Sequence, residues 1–221
     1  MTNRMQFLKP IFLTVLIAVA LMLQCGRADA GPRETLIVAG GCFWCVEADF
    51  EKVSGVIEAE SGFTGGTVKN PTYKQVVRGG TGHYEAVKIT FDAGKVSREK
   101  LLNLFFRSVD PTDAGGQFCD RGESYRTAIF VSNAAEKEVA EKVKAEAQSA
   151  LGRKIVTPIK NAGAFYLADD GHQDYYKSKS LVLTRGGPKS KASAYKFYRE
   201  GCGRDQRVRQ LWGSAAPFVG G

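Results

Sequence analysis

A strand that ends at two glycines and leads directly into a cysteine and a helix is the feature that most limits how this chain can fold. Residues 35–39 read Thr-Leu-Ile-Val-Ala, a short β-branched run that is typical of a buried strand. Gly40 and Gly41 end this run. From residue 43 to about residue 53, apolar side chains recur at helical spacing. This order predicts a strand, a tight turn and a helix, with Cys42 at the start of the helix.

The predicted position of Cys42 is one that makes a cysteine reactive. A helix start presents unpaired backbone N–H groups and the positive end of the helix dipole, which favour thiolate over thiol. Such surroundings lower a cysteine pKa from roughly 8.5 into the range of about 3.5–7.5. The adjacent Phe43 and Trp44 offer apolar surface to a non-polar substrate group. A single cysteine is more often an inert core residue, but Gly-Gly-Cys-Phe-Trp-Cys after a strand favours a nucleophile.

The rest of the chain alternates between strand and helix patterns. Strands are expected at residues 55–63, 83–91, 125–131, 155–160 and 164–168, and helices at residues 98–109, 133–151 and 169–179. We therefore predict a single two-layer α+β domain, with a mixed β-sheet packed with helices and a ferredoxin-like core. From Thr184 onward Gly, Pro, Ser and Lys dominate, which predicts a loop-rich C-terminal tail.

Residues 1–30 have the pattern of a secretory signal peptide. Arg4 and Lys9 give a basic start, and residues 11–23 form an apolar run that only one threonine interrupts. The segment ends in Ala28-Asp29-Ala30, the small-x-small pattern of a cleavage site. The apolar run is shorter than the roughly 20 residues that a membrane-spanning helix needs. These features predict a leader that is removed on export.

Cleavage after Ala30 would leave residues 31–221 as one domain in the periplasm or outside the cell. An uncleaved N-terminal membrane anchor is the main alternative. A lipoprotein site at Cys25 is a further alternative, although Gln24 stands where such sites usually have a small residue. After cleavage, no membrane partner is expected.

The charge balance gives no sign of a nucleic-acid partner. The chain has 31 Lys and Arg against 23 Asp and Glu, a formal net charge of +8. These charges are scattered along the sequence, whereas a nucleic-acid-binding protein concentrates Lys and Arg in a stripe or patch. We therefore expect a solvated basic surface.

Cysteine is the informative residue type. The five cysteines are Cys25, Cys42, Cys45, Cys119 and Cys202, and loss of the leader would leave four. An exported protein can hold disulfides. Four cysteines in about 190 residues are nevertheless too sparse for a disulfide scaffold, so some of these thiols are expected to do chemistry.

The segment Gly-Gly-Cys-Phe-Trp-Cys at residues 40–45 resembles the active-site signature of the peptide methionine sulfoxide reductase A family, which acts on the S epimer of the sulfoxide. Further segments resemble that family in the same order, at residues 61–66, 70–73, 82–87, 110–113, 116–122, 124–126 and 171–175. The resemblance covers about residues 35–212. It implies an enzyme with no metal and no bound organic cofactor.

The resemblance makes Cys42 the nucleophile that attacks the sulfoxide sulfur, and Glu85 the matching acid. The sulfoxide oxygen must be protonated or strongly hydrogen-bonded as it leaves. On the predicted strand, Glu85 shares a face with Val87 and Ile89. A carboxyl among apolar neighbours tends to stay protonated, which suits a proton donor.

Other matching residues complete the pocket that the resemblance implies. Tyr73 and Tyr125 are similar to two phenols that bond the sulfoxide oxygen, and Asp120 matches a further polar residue. Phe43 and Trp44 would enclose the S-methyl group. Considered alone, each of these residues is explained equally well as a packed core residue or as a solvent-exposed residue.

Attack on the sulfoxide would yield methionine and a sulfenic acid on Cys42, which condenses with a nearby thiol to a disulfide. Cys202 resembles the family's resolving cysteine, and its glycine-flanked position in the predicted tail would let it swing to Cys42. Cys45, one helical turn beyond Cys42, and Cys119, in a loop beside the pocket, are alternatives. Many family members have a small residue in place of Cys45, so the resemblance assigns it no role.

The resemblance implies that a thioredoxin-like protein recycles the disulfide, with dithiothreitol as a substitute donor in vitro. The substrate would be oxidised methionine, free or in proteins, and the role would be repair of oxidative damage. In an exported protein the donor must be thioredoxin-like and supplied across the membrane, because cytosolic thioredoxin cannot reach the site.

Two other protein classes share parts of this pattern. A Cys-x-x-Cys pair at a helix start is typical of thioredoxin-type oxidoreductases, but their aromatic residue usually precedes the first cysteine, whereas Phe43 and Trp44 lie between the two. A zinc module needs two more ligands at suitable spacing, and His83 and His172 are far apart in sequence. A protein that only binds a ligand would not need Cys42.

Overall fold

The computed structural model describes residues 31–220, so the predicted signal peptide at residues 1–30 lies outside the described residues. The strands are β1 (Arg33–Gly40), β2 (Val56–Thr64), β3 (Tyr84–Asp92), β4 (Gly116–Gln117), β5 (Asp120–Arg121), β6 (Thr127–Val131), β7 (Ile159–Asn161), β8 (Phe165–Leu167), β9 (Leu181–Thr184) and β10 (Gly187–Ser190). The helices are α1 (Phe43–Phe50), α2 (Tyr73–Arg78), α3 (Arg98–Ser108), α4 (Ala134–Leu151), α5 (Lys191–Gly201) and α6 (Arg204–Trp212). Across the described range, none of these helices combines the length and the apolar character needed to cross a membrane.

Six strands form one mixed sheet in the order β7-β6-β1-β3-β2-β8. The four central strands are antiparallel to one another, in the order β6, β1, β3 and β2. The edge strand β7 runs parallel to β6. Helix α1 connects β1 to β2 across the intervening β3, and α3 connects β3 to β6 across the intervening β1. These two interleaved β-α-β units are the ferredoxin-like arrangement. The predicted mixed sheet and core are confirmed.

The helices pack on one face of the sheet and form the main core with it. Leu36 and Val38 of β1 point into this core, opposite Ile89 and Val87 of β3 in the strand register. Phe105 of α3 lies in the same fully buried cluster. Full burial of side chains of this size contributes about 1.5–3 kcal/mol each. The other face carries a smaller cluster, made of Ala39, Tyr84, Ala86, Ala128 and Phe130.

Polar side chains mark where several helices begin. Ser97 and Asn133 accept hydrogen bonds from the backbone N–H groups of the first turns of α3 and α4. Thr72 forms a capping box with Gln75 at the start of α2. Each such cap stabilises its helix by about 1 kcal/mol.

Some predicted boundaries are wrong. Tyr125 lies in a 3-10 turn (Glu123–Tyr125) rather than in the strand, which begins at Thr127. The helix predicted at residues 169–179 is only a short 3-10 turn, Tyr175–Lys177. The strands β7 and β8 have three residues each, because they pair only at the two edges of the sheet.

The prediction of a loop-rich tail from Thr184 is also wrong. Strands β9 and β10 form a hairpin whose two turn residues are Arg185 and Gly186, and the helices α5 and α6 follow. Gly186, Gly187 and Pro188 belong to the hairpin, while Gly201 and Gly203 lie at the junction of the two helices. Arginines occupy some of the buried positions of these two helices. A search for apolar residues at helical spacing therefore does not detect the helices.

Buried arginines fasten this C-terminal segment to the core. Arg199 of α5 is only 4% exposed and forms an ion pair of 2.8 Å with Asp49, a buried residue of α1. Arg204 of α6 donates to the backbone oxygens of Gly40 at 3.2 Å and Ser108 at 3.0 Å. A charged group is found this deep in a protein only when it is paired. The C-terminal helices are therefore an integral part of the domain.

Replacing Arg199 by methionine removes the ion pair but keeps a side chain of similar length. Because Asp49 would lose its main buried partner, we expect the free energy of unfolding to fall by about 3–5 kcal/mol. Urea denaturation followed by tryptophan fluorescence measures this change. The control is Arg209→Met, at an exposed position in the last turn of α6, with an expected loss below about 1 kcal/mol. Equal losses in the two variants would contradict the role given to the ion pair.

Candidate active site

A cavity of about 530 Å³ opens at the start of α1. All ten residues that the sequence analysis assigned to the site line this one cavity: Cys42, Phe43, Trp44, Cys45, Tyr73, Glu85, Cys119, Asp120, Tyr125 and Cys202. They come from segments that are widely spaced in sequence. The fold therefore brings together every residue that was predicted to act together.

Cys42 is the N-cap residue of α1, immediately after the turn that ends β1. Gly41 has a φ of +82°, a backbone conformation that favours glycine. A Cβ atom at Gly41 would lie 2.6 Å from the Cβ of Gln117. Gln117 is fixed in turn, because its side chain bonds the backbone N–H and C=O of Asp110. The backbone at Gly41 therefore packs closely on a fixed Gln117, and this contact positions Cys42, the next residue.

Glu85 lies on β3 beneath the first turn of α1 and is 1% exposed. Its Oε2 accepts a hydrogen bond of 3.1 Å from the backbone N–H of Phe43, next to the nucleophile. Its Oε1 has no hydrogen-bond partner within residues 31–220. Burial raises the pKa of Glu85 to about 8, with a further increase from Asp120 and an opposing effect of the Phe43 N–H. The carboxyl is therefore protonated at neutral pH, with its free oxygen available to carry the proton.

Tyr73 and Tyr125 bring two phenols to the same cavity from α2 and from the 3-10 turn before β6. Burial raises the pKa of both, and the nearby Glu85 adds to the increase. Both phenols therefore keep their protons and can donate hydrogen bonds. Asp120 lies beside them, and burial raises the pKa of its carboxyl as well.

Phe43 and Trp44 form an aromatic wall. The Phe43 ring is 5.8 Å from that of Phe63 and 6.1 Å from that of Tyr73. The Trp44 ring stacks on Tyr175 at 3.7 Å, and its indole N–H donates to His172 Nδ1 at 3.2 Å. These contacts hold both rings in place. The wall is apolar and suits a small non-polar group such as S-methyl.

The two free thiols of the described chain are Cys42 and Cys45, one helical turn apart. A hydrogen bond to Cys45, together with burial, raises the pKa of Cys42, whereas the same hydrogen bond and the charges of Arg204 and Arg199 lower the pKa of Cys45. The expectation of a lowered pKa at Cys42 is therefore wrong for this resting state. The main reason is the hydrogen bond between the two thiols, which raises the pKa of Cys42 and lowers that of Cys45, and Arg204 and Arg199 lower the pKa of Cys45 further.

Cys119 and Cys202 are joined in a disulfide with a Cα–Cα distance of 4.9 Å. Cys202 is the C-cap of α5, and Gly203 leads directly into α6. The predicted swinging tail is thus replaced by a junction between two packed helices. Cys202 lines the pocket from a fixed position.

The sequence analysis missed one wall of the cavity. It consists of Tyr195, Tyr198, Arg199 and Arg204 from α5 and α6, together with Arg185 from the hairpin turn. Tyr195, Tyr198 and Arg199 have the i, i+3, i+4 spacing of one helix face, which was the available signal. Phe118 and Tyr175 also line the cavity; both lie in segments that resemble the family, at residues 116–122 and 171–175, but the sequence analysis gave them no role.

Comparisons with known proteins agree on one family. The profile of the family described as "Peptide methionine sulfoxide reductase" matches residues 34–210. A peptide methionine sulfoxide reductase MsrA 2 from Caulobacter vibrioides is 47% identical over 205 residues, which covers 91% of this chain and 98% of that protein. A peptide methionine sulfoxide reductase MsrA from Limosilactobacillus reuteri is 51% identical over 185 residues, with coverage of 81% and 97%.

Solved structures give the same result. Mxr1 from Saccharomyces cerevisiae in reduced form has a TM-score of 0.63 and 29% identity, and covers 67% of this chain and 87% of that one. Methionine sulfoxide reductase A of Corynebacterium diphtheriae has a TM-score of 0.59 and 29% identity, with coverage of 74% and 85%. With its thiols, its buried acid and its phenols in one cavity, the chain belongs to the peptide methionine sulfoxide reductase family and is an enzyme that reduces methionine sulfoxide.

Proposed function

We propose that the enzyme reduces the S epimer of methionine sulfoxide, free or in oxidised proteins, through a sulfenic acid on Cys42. The observation that carries this proposal is the partnerless, protonated carboxyl oxygen of Glu85 in the cavity that Cys42 lines. A sulfoxide whose sulfur meets Cys42 would turn its oxygen toward Glu85. The S preference follows from the family resemblance.

The chemical step needs one proton removed and one supplied. Cys42 attacks the sulfoxide sulfur and forms a sulfur–sulfur bond, while its proton passes to Cys45, whose pKa is lowered where that of Cys42 is raised. Glu85 donates its proton to the sulfoxide oxygen, and the bond from this oxygen to the substrate sulfur breaks, which releases hydroxide. The hydroxide attacks the Cys42 sulfur and breaks the sulfur–sulfur bond, so that methionine leaves and Cys42 becomes a sulfenic acid.

The other site residues position the substrate. Tyr73 and Tyr125 donate hydrogen bonds to the sulfoxide oxygen, since both phenols are neutral. Phe43 and Trp44 hold the S-methyl group against the aromatic wall, and Asp120 bounds the polar side. Groups held in advance by packing add to catalysis because they need no reorganisation during the reaction.

The sulfenic acid is resolved as an intramolecular disulfide and recycled without a bound cofactor. In the redox state described here, Cys45 is the free thiol next to Cys42, so the first disulfide joins these two residues. Cys202 takes part once its bond to Cys119 is reduced. A thioredoxin-like dithiol protein supplies the electrons, and dithiothreitol replaces it in vitro.

The first test is turnover of the separated S and R epimers of an N-blocked methionine sulfoxide, with dithiothreitol as the electron donor. We expect reduction of the S epimer only, and loss of this activity in Cys42→Ser, because serine is a far weaker nucleophile than a thiolate. Product chromatography measures both. Cys25→Ser, outside the described residues, is the thiol control and is expected to keep full activity. Turnover of the R epimer, or activity in Cys42→Ser, would contradict the proposal.

The second test is the pH dependence of kcat in Glu85→Gln. Because the protonated carboxyl is the active form and its pKa is about 8, wild-type kcat is expected to fall as the pH rises through this value. Glutamine cannot transfer a proton, so we expect kcat to drop by about 10²–10⁴ at neutral pH and the fall near pH 8 to vanish. Glu58→Gln, at an exposed carboxyl of β2, should leave the profile unchanged. An unaltered profile in Glu85→Gln would rule out its role as the acid.

We also propose that residues 1–30 direct export to the periplasm or the medium and are cleaved after Ala30. The basic start, apolar run and small-x-small pattern support this proposal. Mass spectrometry of the protein purified from a bacterial periplasm is expected to show Gly31 as the first residue. Ala30→Arg should prevent cleavage, because the pocket of the peptidase takes small residues. An intact leader on the wild-type protein would favour the membrane anchor instead.

A further inference from the structure

The hairpin of β9 and β10 carries the two most exposed large apolar side chains of residues 31–220. Leu181 is 79% exposed and Leu183 is 84% exposed. They alternate along β9 with Val182 and Thr184, which are half-buried and buried. Because successive side chains of a strand point to opposite faces, the two leucines share the outward face of the hairpin. Neighbouring apolar side chains that are exposed together mark a binding surface.

The backbone of β9 also points outward at both leucines. The N–H of Lys191 donates to the C=O of Ser180 at 2.8 Å, which makes these two residues a hydrogen-bonded pair. Such pairs alternate with non-hydrogen-bonded pairs along an antiparallel ladder. Leu181 and Leu183 belong to the non-hydrogen-bonded pairs, so their N–H and C=O groups point away from β10. Across the described range, no second strand pairs with β9.

The two edges of this hairpin differ in their protection against further pairing. The outward positions of β10 are Pro188 and Ser190, and the proline has no N–H to donate. The sequence of β9 is Leu-Val-Leu-Thr, without a proline or a charged residue. Proteins usually protect an exposed edge strand with such residues, because the strand is a template for another one. The outer edge of β9 (Leu181–Thr184), the β9 edge, is therefore open to an added strand.

The β9 edge leads directly to the active-site cavity. The strand ends at the turn formed by Arg185 and Gly186, and Arg185 lines the cavity. The buried hydroxyl of Thr184 fixes this turn, since it accepts from the N–H of Gly186 at 3.1 Å and donates to the C=O of Gly187 at 2.6 Å. Leu183 is two residues from Arg185, a spacing of about 7 Å along an extended chain. A segment paired with β9 therefore lies within a few residues of the cavity.

The surroundings of the β9 edge are basic. Residues 175–199 contain seven Lys and Arg and no Asp or Glu. Among the described residues, the ion pairs of this stretch involve only Lys177 and Arg199, which leaves five basic side chains without one. Of these five, Lys179 and Lys196 are exposed. Unpaired positive charges around a docking site attract a partner that carries Asp or Glu.

We propose that the β9 edge is a docking site for an extended, acidic segment of an oxidised protein, which pairs with β9 as an added strand. Main-chain hydrogen bonds to Leu181 and Leu183 hold the segment, and the two side chains cover its apolar residues. The oxidised methionine then enters the cavity beside Arg185. This inference rests on the proposed function, because it concerns how that site selects a polypeptide over free methionine sulfoxide.

The deciding experiment compares two substrates in the double variant Leu181→Ser with Leu183→Ser. One substrate is a short peptide with a single methionine S-sulfoxide, Val and Thr on either side of it and Glu at both ends. The other is N-acetyl-methionine S-sulfoxide, which is too small to reach the β9 edge. Dithiothreitol is the electron donor throughout, so docking of a donor protein does not enter the measurement.

We expect the KM for the peptide to rise about tenfold in the double variant with kcat unchanged, because the lost apolar contact is the same in the bound and transition states. Both constants for N-acetyl-methionine S-sulfoxide are expected to stay as in the wild type. The matched control is Ile57→Ser on β2, an apolar residue that is 47% exposed. This variant should leave the KM of both substrates unchanged.

Two further measurements test the main chain and the charges separately. Leu183→Pro removes an N–H that points outward, so it spares the hydrogen bonds to β10 but takes a donor from the added strand. We expect the KM for the peptide alone to rise. Replacing Glu by Gln in the peptide should raise its KM for the wild-type enzyme at low salt. This difference should vanish at about 1 M salt, where charges are screened beyond about 3 Å.

The outcomes separate this inference from the proposed function. An unchanged peptide KM in the double variant would overturn the docking site, and so would an equal rise for both substrates, since the hairpin would then only shape the cavity. Light scattering and sedimentation with anionic phospholipid vesicles test the other occupants. Dimer formation or vesicle binding that the double substitution abolishes, with the peptide KM unchanged, would assign the β9 edge to a second copy or a membrane. No turnover of either substrate by the wild-type enzyme would instead refute the proposed function.

Discussion

The buried ion pair between Arg199 and Asp49 is the contact on which the rest of the pocket depends. Asp49 belongs to the helix that Cys42 begins, and Arg199 to the helix that Cys202 ends. A buried pair of this kind adds little net stability compared with apolar residues of the same size, but breaking it leaves an uncompensated charge. Its effect is therefore positional. The ion pair links the two helices, and so helps to position Cys202 relative to Cys42.

The cavity separates two chemical environments over a short distance. On the oxygen side, burial keeps Glu85, Tyr73 and Tyr125 protonated, so each can donate to an oxygen that gains negative charge. On the sulfur side, the hydrogen bond with Cys42 and the charges of Arg204 and Arg199 lower the pKa of Cys45. The same interior thus raises the pKa of carboxyl and phenol groups and lowers that of a thiol. The difference comes from the hydrogen-bond donor and the cations that face this thiol.

The sequence predicted the parts of this protein whose signals are local. The strand, glycine turn and helix around Cys42 and the inward face of Glu85 depend on neighbours within a few residues. The ten pocket residues were found because each lies in a segment that resembles one family. The C-terminal helices were missed because charged residues occupy their buried face and only the folded core supplies their partners. The lowered pKa of Cys45 was missed in part for the same reason, since Arg199 and Arg204, which add to the effect of its hydrogen bond with Cys42, lie more than 150 residues away along the chain.

The arginine contacts join residues that are far apart in sequence, and this separation determines when the pocket can form during synthesis. The bond between Arg199 and Asp49 spans 150 residues, and the one between Arg204 and Gly40 spans 164. A chain is synthesised from its N-terminus, and domains form as their residues become available. The nucleophile and its acid therefore exist early, but the wall that encloses them cannot form until residues 185–204 have been added. A nascent chain without these residues carries an open thiol pair, and the addition of α5 and α6 turns it into a pocket.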